Sequence, residues 1–145
     1  MDFRKNDSAG FLVNHMARLF AKGLQDRITA FGITTGQFPI LLELWEEDGL
    51  RQSELVARIN VEQATVANTL NRMERDGLIK RTKHPSDARA QQITLTDKAL
   101  AIKDRAYEAA NTQNKLALSG LSKTEQETFL RISRQIIQAM KDKQT

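Results

Sequence analysis

A mainly α chain carrying one small β-hairpin is what three features of residues 50–95 predict. Val66, Leu70 and Met73 recur at i, i+4 and i+7, the spacing of one helical face. Thr65, Asn68, Thr69 and Arg72 fall at helical spacing on the opposite face, so a buried stripe backs a row of hydrogen-bonding side chains ending in a charge. Two strand-like runs follow, Leu78 to Lys83 and Gln91 to Leu95, joined by the polar stretch TKHPSDARAQ. Helix, turn, helix and hairpin make a winged helix-turn-helix. The polar face with its terminal charge has the chemistry a helix needs to lie in a DNA groove.

The other elements can be read in order. From about Ser8 to Phe31 the apolar positions Leu12, Met16, Leu19, Phe20, Leu24, Ile28 and Phe31 keep helical spacing, and Gly32 ends the run. Thr34 with Gln37 forms a capping-box pattern, with Ile33 and Phe38 placed as a hydrophobic staple. A helix then runs through Leu41, Leu42 and Trp45 to Gly49, with Pro39 near its start. Residues 52–60 form a short helix anchored by Leu55 and Ile59. Asn60–Val61 turns the chain into the reading helix, about Glu62 to Asp76, and Gly77 ends it. Ile79, Ile93 and Leu95 turn inward from the hairpin, and the stretch between the two runs serves as a wing loop. Thr96 caps a helix over about 97–118, and Ser122 with Glu125 opens a last one through Phe129, Ile132, Ile136 and Met140.

At 145 residues the chain reads as a single domain. Residues 34–95 form the winged core, while 8–31 and 97–142 supply long apolar stripes beyond what a small head can cover. Uncovered stripes of that size mark an interface, and pairing with a second copy covers them. The expectation is a homodimer clasped by its terminal helices.

Composition narrows the function classes. Zero Cys excludes disulfides and thiolate chemistry, and two His, His15 and His84, are too few for a dedicated zinc site. No Gly-rich phosphate loop, HExxH pair or activated serine is recognisable, so no enzyme and no cofactor is expected. The N-terminus MDFRKNDSAG has no apolar signal region, and no run approaches the roughly 18 apolar residues of a membrane span. A cytoplasmic location follows as the expectation. The net charge is +4, unevenly spread: residues 51–95 carry 8 Lys and Arg against 5 Asp and Glu, while residues 1–50 carry 5 against 7. A basic central block suits a polyphosphate.

These landmarks resemble the MarR family of bacterial transcriptional regulators. They are ITTGQFPIL at 33–41, LRQSELVARINVEQATVANTLNRMERDGLIKR at 50–81, HPSDARAQQITLT at 84–96 and LSKTEQ at 121–126. The Gly-Leu-Ile step after the reading helix and the Asp87-x-Arg89 wing are the most specific. The resemblance implies a homodimer with interlocked terminal helices and two winged heads. It also implies repression of a palindromic operator and release of DNA by a small aromatic or phenolic effector. An effector-independent winged-helix activator or architectural DNA-binding protein is the alternative.

Residue roles follow. Gln63, Thr65, Asn68 and Arg72 are the base-reading candidates, since Arg pairs with guanine and Asn or Gln with adenine in the major groove. Relatives commonly carry Arg where Asn68 stands. Arg89 resembles the wing-tip arginine that enters the minor groove, with Asp87 shaping the wing and Ala88 standing where relatives often carry another basic residue. Gln52, Ser53, Thr69, Lys80, Arg81 and Lys83 are expected at phosphates, with His84 beside them. Arg51 stands where relatives often carry a capping Thr, and Glu62 is a weak cap. For an anionic phenol, His15, Arg18 and Trp45 are the only suggestive set, although a lone Trp is ordinarily a core residue.

Overall fold

In a computed structural model, residues 2–143 are described, the side chains of Ala88 and Arg89 excepted. They form six α-helices and a three-stranded sheet: α1 Ala9–Ile28, α2 Phe38–Glu46, β1 Leu50–Arg51, α3 Gln52–Ile59, α4 Gln63–Arg75, β2 Ile79–His84, β3 Asp87–Leu95, α5 Asp97–Ala117 and α6 Lys123–Lys143. The chain divides into two compact units between Ala110 and Asn111.

The first unit is built on one apolar core. Ile28 and Ile33, the α2 face Ile40, Leu41 and Leu44, Leu55 of α3 and the α4 stripe Val66, Leu70 and Met73 all lie within it. Ile79, Ile93 and Leu95 close it from the sheet, as expected for inward-facing strand positions, with Leu78 just before β2, and Ala99, Ile102 and Ala106 close it from α5. Trp45 lies edge-on to Phe38 and to Tyr107, at ring separations of 6.1 and 5.6 Å. Its indole Nε1 donates to the Ala99 carbonyl at 3.1 Å. A buried indole with its one donor satisfied is a core anchor, tying α2 to the start of α5.

Local chemistry sets the boundaries. Ser8 caps α1 by accepting from the Phe11 N–H. The helix tightens into a 3-10 turn over Thr29–Phe31 and stops at Gly32, whose φ of 76° is left-handed. The Thr34–Gln37 box closes in both directions, at 3.1 and 3.2 Å, but it shapes the turn before α2 rather than the first helical residue. That helix ends at Glu46, three residues short of the expected Gly49. Asp48 accounts for the difference: its Oδ1 accepts from the N–H groups of both Gly49 and Leu95, pinning the chain to the end of β3. Arg51 offers α3 no side-chain acceptor. Glu54 takes over, accepting from the Arg51 backbone N–H at 3.0 Å. Thr96 caps α5 through the Ala99 N–H and donates back to the Gly77 carbonyl at the end of α4.

The sheet differs from expectation in two ways. Leu50–Arg51 is a third strand, so the antiparallel order is β1-β3-β2, with Leu50 opposite Ile93. Two residues are too few for an alternation signal. The stretch expected as a long wing loop is mostly ladder: β2 continues through His84 and β3 begins at Asp87, leaving Pro85–Ser86 between them. The register slips between Lys83 and His84, a bulge near the tip. A ribbon wet on both faces shows no hydrophobic pattern, so its strands look like loop in the sequence.

In the second unit, Ser122 and Glu125 form the expected reciprocal cap at the start of α6, at 2.9 and 3.1 Å. Hydrogen bonds to the carboxyl from the Ser122 backbone N–H and then from its hydroxyl hold Glu125 below the usual carboxylate range. Gln126 bridges the preceding turn through the Leu118 and Leu121 carbonyls. Leu130, Ile132, Ile136, Ile137 and Met140 of α6 remain exposed, as do Leu12, Val13, Met16 and Leu19 of α1.

Two stability outcomes follow. Leu70 is fully buried, so Leu70→Ala should destabilise the chain by about 2–5 kcal/mol in urea melts. Glu125→Gln removes a carboxylate favoured by folding; this contribution is present above the ordinary carboxylate range and lost as pH falls below it. The variant and the parent should therefore converge in melting temperature on acidification, and a constant gap between them would contradict the assignment.

Candidate nucleic-acid interface

The thirteen residues of α4 run from a buried stripe through the half-buried Ala67 and Thr69 to an exposed face. Val66, Leu70 and Met73 are buried, while Gln63, Thr65, Asn68 and Arg72 are exposed. Burial of one stripe decides which side chains point outward, because residues three and four apart share a helix face. Thr65, Asn68 and Arg72 therefore share the free face opposite the stripe, whereas Gln63, three residues before Val66, lies on the stripe's side of the helix and is exposed in its first turn. Glu62 makes no side-chain cap, as its residue type led one to expect. Thr69 is half-buried and returns its hydroxyl to the Thr65 carbonyl at 2.8 Å, so its donor is spent within the helix.

The helix is set against the rest of the first unit at its C-terminal end. Asp76 caps it, and Gly77 turns the chain at φ 75° so that the Leu78 N–H reaches the Met73 carbonyl at 2.9 Å. Gly77 needs that left-handed backbone, which a β-carbon would strain.

Among the basic residues, Lys80 and Lys83 are exposed on β2. Arg81 has another task than the phosphate contact expected of it. Its guanidinium donates to Glu74 Oε1 and Asn71 Oδ1, both at 2.9 Å, and its side chain is only 17% exposed. It fastens β2 to the last turns of α4. Ser53 is exposed at the start of α3 and Gln52 half-buried.

His84 is also engaged. Arg51 Nη2 lies 3.2 Å from its Nε2, and the Ser86 N–H points at its Nδ1 at 3.1 Å. Both neighbours are donors, and a neutral imidazole has a single acceptor nitrogen, so only one of these bonds holds at a time. Either way the ring braces the wing turn or the start of α3, and Arg51, read in the sequence only as a poor helix cap, joins the site through His84. Asp87 stands opposite His84 at the head of β3. The Arg89 and Ala88 side chains lie outside the described residues.

The three ligand candidates do not come together. Trp45 is in the core with its N–H bonded, whereas His15 and Arg18 are exposed on α1. His15 packs edge-on to Phe11, with ring centroids 6.0 Å apart. An aromatic residue in an apolar helix run is claimed by the core, and nothing in the spacing of this chain distinguished that from a ligand wall. Among the described residues, no cluster of His, Asp or Glu is placed to hold a metal, and no helix is long and apolar enough to cross a membrane.

Comparison with known proteins fits this geometry. The sequence profile of the MarR family matches residues 33–90, the stretch from the turn before α2 to the wing. The chain is 34% identical over 110 residues to the HTH-type transcriptional regulator MgrA of Staphylococcus aureus, covering 75% of this chain and 73% of that one. It is 32% identical over 95 residues to the HTH-type transcriptional regulator TtmR of Methylorubrum extorquens, covering 66% of this chain but only about half, 49%, of the relative. The structure of reduced AbfR bound to DNA superposes with a TM-score of 0.75 at 29% identity, covering 91% of this chain and 89% of that one. With its winged helix-turn-helix and these relatives, the chain belongs to the MarR family of DNA-binding transcriptional regulators.

Proposed function

We propose that the chain acts as a homodimeric repressor that reads a palindromic operator in double-stranded DNA. The observation that carries this reading is the α4 surface, where Thr65, Asn68 and Arg72 stand exposed opposite a buried stripe and Gln63 stands exposed in the first turn. Arg72 is suited to guanine O6 and N7, and Asn68 and Gln63 to adenine N6 and N7. Lys80, Lys83, Gln52 and Ser53 supply phosphate contacts that set register, and Arg89 enters the minor groove from the wing. Asp87 shapes the wing beside it.

The dimer is supported by uncovered apolar surface. Leu12, Met16 and Leu19 share a face of α1, and Ile132, Ile136 and Met140 share a face of α6, all of them exposed. Pairing through these helices would place two reading helices in successive major grooves, one turn or about 34–36 Å apart. AbfR, 29% identical, is seen bound to DNA, which supports DNA binding by this chain.

Effector release rests on the family resemblance alone. The burial of Trp45, with its N–H already bonded to Ala99, favours a second reading: a regulator, activator or architectural protein with no aromatic effector.

Selection from a random duplex library, followed by fluorescence anisotropy, tests the proposal. The chain should enrich a two-fold symmetric site and lose affinity steeply as salt rises. Arg72→Ala should cost about 1–3 kcal/mol on the selected site and relax preference at one base pair per half-site. Lys83→Ala should weaken all duplexes alike and make the salt slope shallower by about one. Enrichment of no symmetric site, or affinity indifferent to half-site spacing, would overturn the reading. Titrating phenolic carboxylates such as 4-hydroxybenzoate into the complex then separates the effector-controlled protein from the effector-independent one.

A further inference from the structure

Gln37 is the one buried polar side chain among the described residues, 4% exposed. Both ends of its amide are in use. Oε1 accepts from the Thr34 N–H at 3.1 Å, and Nε2 donates to Asp76 Oδ2 at 3.2 Å, thirty-nine residues away. Asp76 is the residue that caps α4 at its C-terminal end, and its own N–H closes on the Arg72 carbonyl at 2.8 Å.

A carboxylate is out of place there. The last carbonyls of a helix carry partial negative charge, which disfavours an anion beside them. Two partners hold this one, and a third holds the backbone carbonyl of the same residue. Besides Gln37, Arg75 Nε reaches Asp76 Oδ1 at 3.2 Å, and Lys98 of α5 donates to the Asp76 carbonyl at 2.8 Å. The Gln37 amide first, then Arg75, keep the Asp76 carboxyl below the usual aspartate range.

On the other side of Gln37 the network reaches α1. Gln25, in the last turns of that helix, accepts from the Thr35 N–H at 2.9 Å and donates to the Ile33 carbonyl at 3.3 Å. The segment Ile33–Thr35 is thus held by α1, and Thr34 of that segment holds Gln37. Hydrogen bonds, joined by the short backbone segment Ile33–Thr35, therefore connect α1 through Gln37 to the turn of α4 that carries Arg72.

We infer that Gln37 and Asp76 are a positioning pair for the reading helix, locking the end of α4 to the segment leaving α1 so that the base-reading face takes its orientation from α1. This rests on the DNA-reading proposal above. Neither residue touches DNA. Each acts by fixing where Asn68 and Arg72 point, and a buried donor with one matched acceptor does this more strictly than apolar packing, which tolerates small rotations.

The pair can be tested by reversing its polarity. In Gln37→Glu, one oxygen still accepts from the Thr34 N–H while the other faces the Asp76 carboxylate across the same gap. Adding Asp76→Asn restores the bond with donor and acceptor exchanged, and leaves an amide oxygen for Arg75. Affinities for the selected duplex and for a scrambled duplex would be measured by anisotropy, alongside melting temperature by circular dichroism. Gln37→Glu should lose about tenfold more affinity for the selected duplex than for the scrambled one, and the double variant should recover the preference. If Gln37→Glu is too unstable to assay, Asp76→Ala, at the more exposed end of the pair, carries the same expectation. Equal losses on both duplexes, or loss of preference that the double variant does not restore, would overturn the inference. A wild-type chain that prefers no duplex overturns the DNA-reading proposal and this inference together; wild-type preference that survives in Gln37→Glu overturns the inference alone.

Discussion

Val66, Leu70 and Met73 have to leave water, and because they sit on one stripe of a thirteen-residue helix, that requirement orients every other side chain on it. Leu55 of α3, Ile79 of β2 and Ile93 of β3 belong to the same core, so α3 and the sheet share the surface that fixes the roll of α4. Rotating the helix by one residue would bring Asn68 or Thr65 toward that core and carry a buried side chain toward solvent. A polar side chain entering without a partner is costly, so such a rotation is opposed from both sides at once.

Roll is set by apolar burial, but burial alone leaves a helix free to slide and tilt. Those motions are opposed by polar contacts concentrated at the C-terminal end of α4. Arg81 of β2 grips Asn71 and Glu74, Thr96 donates to the Gly77 carbonyl, and Lys98 donates to the Asp76 carbonyl. The start of the helix is different: Glu62 provides no cap, and residues 61–65 are exposed. The helix is thus anchored at one end and open at the other, so that its exposed first turns can be approached without dismantling the anchor.

What the sequence disclosed and what it hid divide along the same physical line. Periodicity reports burial, and everything governed by burial was legible: the α4 stripe, the inward strand positions Ile79, Ile93 and Leu95, and the capping boxes, whose partners lie three residues apart. Contacts between residues distant in sequence left no such trace. Arg81 reads as one more wing cation until Glu74 and Asn71 are seen beside it, and Trp45, ordinarily a core residue, stays open as a ligand wall until Ala99 is found at its N–H. Gln37 was visible as half of a capping box, but its second bond, to Asp76, was not. The ladder at the end of the wing was hidden for the opposite reason, since a solvated ribbon has no buried side to impose a period of two.

The uncovered faces connect this anchoring to the proposed dimer. Leu19 and Val13 of α1 are 59% and 54% exposed, and Met140 and Ile137 of α6 are 58% and 54% exposed. Single exposed apolar residues need no explanation, but rows of them along helices do. A lone winged head gains nothing from such rows, because its core is already closed by α5 and the sheet. A clasp between two copies would bury them and would give α1 a second duty besides flanking the head. Since Gln25 ties the end of α1 to the segment that holds Gln37, the helix that sets the distance between two heads would also set the angle of each reading surface. Distance and angle would then vary together, and a disturbance of the clasp would reach the bases without any change in the residues that touch them.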